Sequence, residues 1–146
     1  MADEFVLRRR VQFAETDLAG VLHFANYYRF MEEAEHAFWR AIGEGVVTEQ
    51  DGCRISWPRV STRCEYFAPV HFEDELDLVL RVVEVGDRSV TYEIEFRREG
   101  CRVALGQTKA VCCSMSDGAF GTVPMPKPLR EKLEASAGAT GGALRR

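Results

Sequence analysis

The chain has 146 residues, 46% of them hydrophobic and 29% charged, which suits one water-soluble domain burying roughly 70% of the surface its unfolded form exposes. A formal net charge of −4 argues against general nucleic-acid binding. The longest apolar runs fall far short of a membrane span and the opening Met1-Ala2-Asp3-Glu4 has no secretory pattern, so a cytoplasmic protein without a membrane partner is expected.

In chain order, Phe5, Leu7, Arg9, Val11 and Phe13 alternate with Val6, Arg8, Arg10 and Gln12, which predicts a first strand with arginines on both faces. From Tyr27 the period changes. Tyr27, Phe30, Met31, Ala34, Phe38, Ala41 and Ile42 recur at three- and four-residue steps with Glu32, Glu33, Glu35 and Arg40 between them, the pattern of a long helix with one buried stripe. Gly43 is placed to close it in a left-handed conformation. A looser stretch, Glu44 to Arg54, leads to a strand from Arg59 to Phe67 that ends at Ala68-Pro69. Leu76 to Val83 and Val90 to Arg97 alternate as two further strands across a Gly86-Asp87 turn. After Glu99-Gly100, Val103 to Met115 reads as a long final strand. The expected architecture is α+β, with one long central helix wrapped by a single antiparallel sheet whose last four strands form a meander. The small residues after Leu133 end the domain near residue 135, and residues 136–146 are expected to form a flexible tail.

Chemistry concentrates between the first strand and the helix, in Phe13-Ala-Glu-Thr-Asp-Leu-Ala-Gly-Val-Leu-His-Phe-Ala-Asn-Tyr-Tyr28. Asp17 opens an Asp-x-x-Gly turn that Gly20 closes. This order sets an acid beside a helix N-terminus, where free backbone N–H groups collect and the dipole favours negative charge. A carboxylate aimed at a carbonyl that such N–H groups polarise is a hydrolytic arrangement without a Ser-His-Asp set. His23 reads either as a substrate contact or as a residue that orients the loop. Asn26 reads as a helix cap or a substrate contact, with capping favoured, and Tyr27 as core or site. Trp57, beside Pro58, is a candidate wall for an acyl pocket suited to a short or aromatic group.

The five cysteines form no Cys-x-x-Cys pair, and adjacent Cys112 and Cys113 are expected on opposite faces of a strand as reduced packing thiols. Glu32 and His36 lie four apart on the helix, where i,i+4 pairing on a solvated face explains them better than a shared metal. No metal site and no redox cofactor is expected.

The stretch Glu15-Thr-Asp-x-Ala-Gly-Val with Asn26-Tyr27 resembles the hotdog-fold acyl-CoA thioesterases of the 4-hydroxybenzoyl-CoA thioesterase type. Glu65-Tyr66-Phe67-Ala68-Pro69 and Phe72-Glu73-Asp74-Glu75-Leu76 look like the same family's second-strand segment. The resemblance implies a hotdog thioesterase domain over residues 1–135 that hydrolyses a short-chain or aromatic acyl-CoA. Asp17 would be its nucleophile or general base, and the Phe24 N–H would hold the thioester oxygen. It also implies a site formed between subunits of a homodimer or homotetramer, with Arg88 and Ser89 meeting CoA phosphates. The branch associated with the Tol–Pal envelope system has a histidine where this chain has Phe24 and a tyrosine where it has Phe13, so a catalytic role does not carry over to His23. The alternatives are a thioesterase acting on acyl-carrier-protein thioesters and a non-catalytic acyl-CoA-binding hotdog module.

Overall fold

A computed structural model describes residues 3–116 and 118–138. Strand β1 (Phe5–Arg10) is followed by a 3-10 turn at Phe13–Glu15 and by helix α1 (Asn26–Ala41). Then come β2 (Thr48–Gln50), β3 (Cys53–Ser56), β4 (Arg59–Tyr66), β5 (Glu75–Val85), β6 (Ser89–Arg98), β7 (Cys101–Val111), β8 (Cys113–Ser116), β9 (Ala119–Thr122) and helix α2 (Lys127–Ala137).

The five long strands form an antiparallel sheet in the order β1-β5-β6-β7-β4, and its inner face wraps α1. Leu76, Leu78, Leu80 and Val82 of β5 and Val90, Tyr92, Ile94 and Phe96 of β6 point inward and are almost wholly buried. They meet Tyr27, Phe30, Met31, Ala34 and Phe38 of the helix. On β7 the inward positions are small, Ala104, Gly106, Thr108 and Ala110, so the helix approaches closely there. A Cβ on Gly106 would sit 2.5 Å from the Met31 sulfur. The helix ends as expected at Gly43, whose φ is +77°. Its N–H donates to Arg40 O and the Glu44 N–H to Trp39 O, the two bonds of a Schellman closure.

Several expectations are corrected. The sheet is not single, because β2, β3, β8 and β9 form a second, four-stranded sheet. The expected final strand breaks at Cys112, whose N–H donates to Arg88 O and whose carbonyl accepts from Val123 N–H. The chain therefore passes from one sheet to the other at that residue, and both Cys112 and Cys113 are buried. The meander has three strands, β5-β6-β7, and β4 pairs with β7 on the far edge. Pro69 has no N–H to extend a ladder, and Val70 O accepts from Leu22 N–H at 2.7 Å, which carries the β4–β5 connection past the Asp17 loop.

On α1, Ala41 is exposed, while Trp39 and Glu35 are buried. The arginines of β1 do divide between faces, with Arg8 and Arg10 exposed and Arg9 turned inward. Helix α2 was not foreseen. It runs to Ala137 and buries Leu129, Leu133 and Ala137 at i,i+4 spacing. Pro128 in its first turn and this spacing were legible signs of it. The rest of the expected tail, residues 139–146, lies outside the described residues. No described helix is long and apolar enough to cross a membrane.

Candidate active site

The loop between β1 and α1 is held by one arginine. Arg9, with only 17% of its side chain exposed, forks onto Glu15 with Nη1–Oε1 at 3.0 Å and Nη2–Oε2 at 2.5 Å. It also meets Glu33 of α1 at 2.8 Å and lies 4.2 Å above the Phe30 ring. Burial works against the Glu15 carboxylate, yet the Arg9 fork and the Gln12 N–H hold its carboxyl below the usual range. The Glu15 carbonyl in turn accepts from His23 N–H and from the Asn26 side-chain amide. Glu15 thus ties the strand, the loop and the start of the helix together.

Within that frame, residues 16–22 make a tight hairpin closed by the Thr16–Leu22 bridge. Gly20, at φ +84°, donates its N–H to Asp17 O. Asp17 Oδ1 accepts from Ala19 N–H at 2.9 Å and from Val21 N–H at 3.3 Å. The carboxylate is oriented through one oxygen, and the other has no hydrogen-bond partner among the described residues.

Asp17 lines a cavity of about 370 Å³ with Leu22, Phe24, Tyr27, Tyr66 and Phe67. Tyr27 is 3% exposed and packs edge-on against Tyr66, with centroids 4.7 Å apart. Burial pushes the Tyr27 and Tyr66 phenols up to about 12, so both are neutral walls at ordinary pH. Tyr66 donates to Phe24 O at 3.2 Å. The Phe24 N–H has no partner among the described residues. The cavity therefore brings together an oriented carboxylate and a mostly apolar wall that includes Phe24, whose N–H has no partner among the described residues; a carboxylate and a free N–H are the groups that deliver an oxygen nucleophile and polarise a carbonyl.

Of the other expected site residues, Tyr27 is both core and cavity wall. His23 does not line this cavity. Its Nδ1 accepts from Ala25 N–H at 3.1 Å and its ring stacks on Phe24, so its bonds lie within the loop it was expected to orient. Asn26 is not the cap. It is the first helical residue, and its amide donates backward to Glu15 O. Trp57 is buried against Trp39 and lines a separate cavity with Glu32, His36 and Arg59. Arg88, half exposed, donates to Thr122 O and Oγ1, and Ser89 begins β6; neither lines the Asp17 cavity. Sequence reasoning missed the Arg9–Glu15 clamp, because an arginine on a strand does not reveal its partner six residues on.

Residues 19–105 match the Thioesterase superfamily. The chain is similar to a 1,4-dihydroxy-2-naphthoyl-CoA hydrolase of Synechococcus (strain WH7803), 30% identical over 137 residues that cover 89% of this chain and 88% of the relative. It is also similar to a solved gentisyl-coenzyme A thioesterase at 28% identity and a TM-score of 0.74, covering 86% of this chain and 99% of that one. A 1,4-dihydroxy-2-naphthoyl-CoA thioesterase from Synechocystis, 24% identical with a TM-score of 0.78 over 89% of this chain and 95% of its own, shares the fold. With the helix-wrapped sheet and the Asp17 hairpin in place, this chain belongs to the thioesterase superfamily and has the hotdog fold.

Proposed function

We propose that the protein hydrolyses the CoA thioester of a short or aromatic acid, releasing the free acid and CoA, with Asp17 as the reacting carboxylate. The observation that carries this reading is the half-used Asp17 carboxylate. One oxygen accepts from two backbone N–H groups, the other has no partner among the described residues, and Asp17 lines a cavity together with Phe24. That free oxygen either attacks the thioester carbonyl, giving an anhydride that water opens, or takes the proton of a water that attacks instead. In both routes the thiolate of CoA leaves and the Phe24 N–H holds the carbonyl oxygen as it gains charge. Relatives named for naphthoyl- and gentisyl-CoA favour an aromatic acyl group.

A homodimer is part of the proposal. Leu18, Phe24, Val60, Tyr66 and Phe67 are exposed apolar side chains around the Asp17 hairpin and along β4, whose outer edge pairs with no strand among the described residues. Two copies joined antiparallel along β4 would cover that edge and those side chains. Arg88 is the proposed phosphate contact, and its replacement by Ala should raise KM more than it lowers kcat.

The test is thiol release from a panel of aliphatic and aromatic acyl-CoAs and one acyl-carrier-protein thioester, with wild type beside Asp17→Asn. The Asn amide keeps an oxygen for Ala19 and Val21, so the hairpin should persist while turnover falls at least ~100-fold. Wild type that releases no thiol from any substrate, or an Asn variant as active as wild type, refutes the reading. Sedimentation should show a dimer.

A further inference from the structure

Between the Asp17 hairpin and α1 the chain spends its backbone N–H groups unevenly. Over residues 22–26, Leu22 N–H donates to Val70 O, His23 N–H to Glu15 O and Asn26 N–H to His23 O. Ala25 N–H donates to the His23 ring at Nδ1, 3.1 Å away. Four of these five donors are used, and only the Phe24 N–H of the run has no partner among the described residues. A backbone donor left over among neighbours this well satisfied is uncommon and asks for a reason.

His23 makes the selection. Its carbonyl accepts from Asn26 N–H at 2.9 Å. A trans peptide sets its N–H opposite its carbonyl, so this bond turns the Phe24 N–H away from the start of the helix. The imidazole takes the following donor, Ala25 N–H, and lies stacked on the Phe24 ring with centroids 4.6 Å apart. Tyr66 fixes the other side of the residue by donating to Phe24 O at 3.2 Å. The Phe24 backbone is thus clamped on both flanks, in a residue that lines the Asp17 cavity.

The ring bond carries a chemical condition. A nitrogen that accepts from an N–H has no proton of its own, so Nδ1 is the bare nitrogen and the neutral ring keeps its proton on Nε2. An imidazolium is protonated on both nitrogens and would set Nδ1–H against Ala25 N–H, donor against donor. Asparagine makes the equivalent bond through its side-chain oxygen, to the N–H two residues on, and does not titrate. The ionisable groups on the segments joined to this turn are Glu15 and Asp17 of the hairpin, Arg9 of β1, Arg29 of α1, Tyr66 of β4 and His71, whose backbone bridges to Val21. Glu15 is held by Arg9, and the Tyr66 phenol is pushed up to about 12. His71 is the other imidazole of the set.

We propose that His23 is a positioning residue whose proton-free Nδ1, by holding the Ala25 N–H, presents the Phe24 N–H to the thioester carbonyl. The inference rests on the thioesterase reading above and deepens it by assigning what controls the carbonyl-holding donor. The imidazole transfers no proton itself; it acts through the backbone, so activity needs a neutral acceptor at this position and not a histidine as such.

The test measures kcat and KM between pH 8.5 and 5.5 on the best acyl-CoA of the panel, in wild type, His23→Asn, His23→Ala and His71→Asn. Imidazole is the side chain that ordinarily changes charge in this range. Wild-type kcat should decline toward pH 5.5. His23→Asn should keep kcat within about threefold of wild type at pH 8 and lose that decline. His23→Ala should lose about tenfold in kcat with KM little changed, a part of the ~10²–10³ that removal of a whole oxyanion donor costs. His71→Asn should keep the wild-type profile. A flat wild-type profile, a decline that survives in His23→Asn, an Asn variant as slow as the Ala variant, or wild-type kcat in His23→Ala each overturns the inference. If wild type releases no thiol from any substrate, the thioesterase reading fails by itself, and nitrogen NMR on labelled protein decides whether His23 sets this turn. A proton-free Nδ1, with an Ala25 amide shift that follows the ionisation of the ring and stays constant in His23→Asn, supports it. A neutral ring with its proton on Nδ1 overturns it.

Discussion

Replacing Arg9 by Met should destabilise this protein markedly, and the structure indicates how much. The guanidinium makes a two-pronged bond to Glu15 and reaches Glu33, and it covers the Phe30 ring. Arg9 and Glu15 have side chains only 17% and 18% exposed. Breaking a fully buried pair from one side costs 3–5 kcal/mol, because the remaining charge is left uncompensated. With about a sixth of each group in water, we expect roughly 2–3 kcal/mol. For a chain of this size that is a fall in Tm of roughly 5–10 °C. The methionine keeps contact with Phe30, so the loss reports charge and hydrogen bonding more than packing.

The pH dependence carries the sharper signature. The Glu15 carboxyl is held below its ordinary value in the wild type. Its contribution is therefore present above the unfolded value near ~4.3 and is lost as pH falls through the folded one. Without Arg9, burial raises that carboxyl and the unpaired carboxylate becomes a liability at neutral pH, relieved by protonation. The stability gap between wild type and Arg9→Met should thus be widest near pH 7 and shrink as pH falls, first through the raised carboxyl of the variant and then through the depressed one of the wild type. Urea unfolding at pH 7, 5 and 3.5 measures this directly, and a cycle with Glu15→Gln should return a coupling of about 1–3 kcal/mol. Because Glu15 anchors the loop that presents Asp17, kcat should fall along with stability. A gap below about 0.5 kcal/mol, the level of an ordinary surface substitution, or one that is independent of pH, refutes the clamp.

Two further changes probe the hairpin and the outer face of the sheet. Gly20→Ala meets no atom within 4 Å but must adopt φ +84°, so its cost of about 1 kcal/mol is backbone strain alone. Thiol-release assays should show a several-fold loss as the Asp17 turn shifts, and unchanged activity would show that the turn tolerates another geometry. Glu95 is 5% exposed. Burial raises its carboxyl, but Arg97 and Arg102 overcome that and hold it at about 2. Its contribution is present above the unfolded value near ~4.3 and lost between about pH 4.3 and 2. Allowing for the partly exposed arginines, we expect about 1–2 kcal/mol. Glu95→Gln should remove that portion of the acid dependence of the urea midpoint, and parallel acid profiles for the two proteins would exclude it.

Local patterns in this chain were enough for much of the architecture and for the place of the site. Three- and four-residue spacing from Tyr27 defined α1 and Gly43 its end, because helix burial and closure depend on residues a turn apart. Alternation defined β5 and β6, and the Asp17–Gly20 turn located the carboxylate, since side-chain period and turn chemistry are set by near neighbours. What lay beyond reach depends on residues far apart in the chain. β4 abandons β5 for β7 because the crossover through Pro69 and Val70 is pinned to Leu22. Glu35 reads as one more acid on a polar helix face, and only Arg59, 24 residues away, together with Tyr92 draws it inside. Asn26 does not cap the helix because the Glu15 carbonyl, placed by Arg9, claims its side-chain amide. Periodicity shows which face of an element is apolar, but which charged group acquires a buried partner is decided when the strands and helix meet.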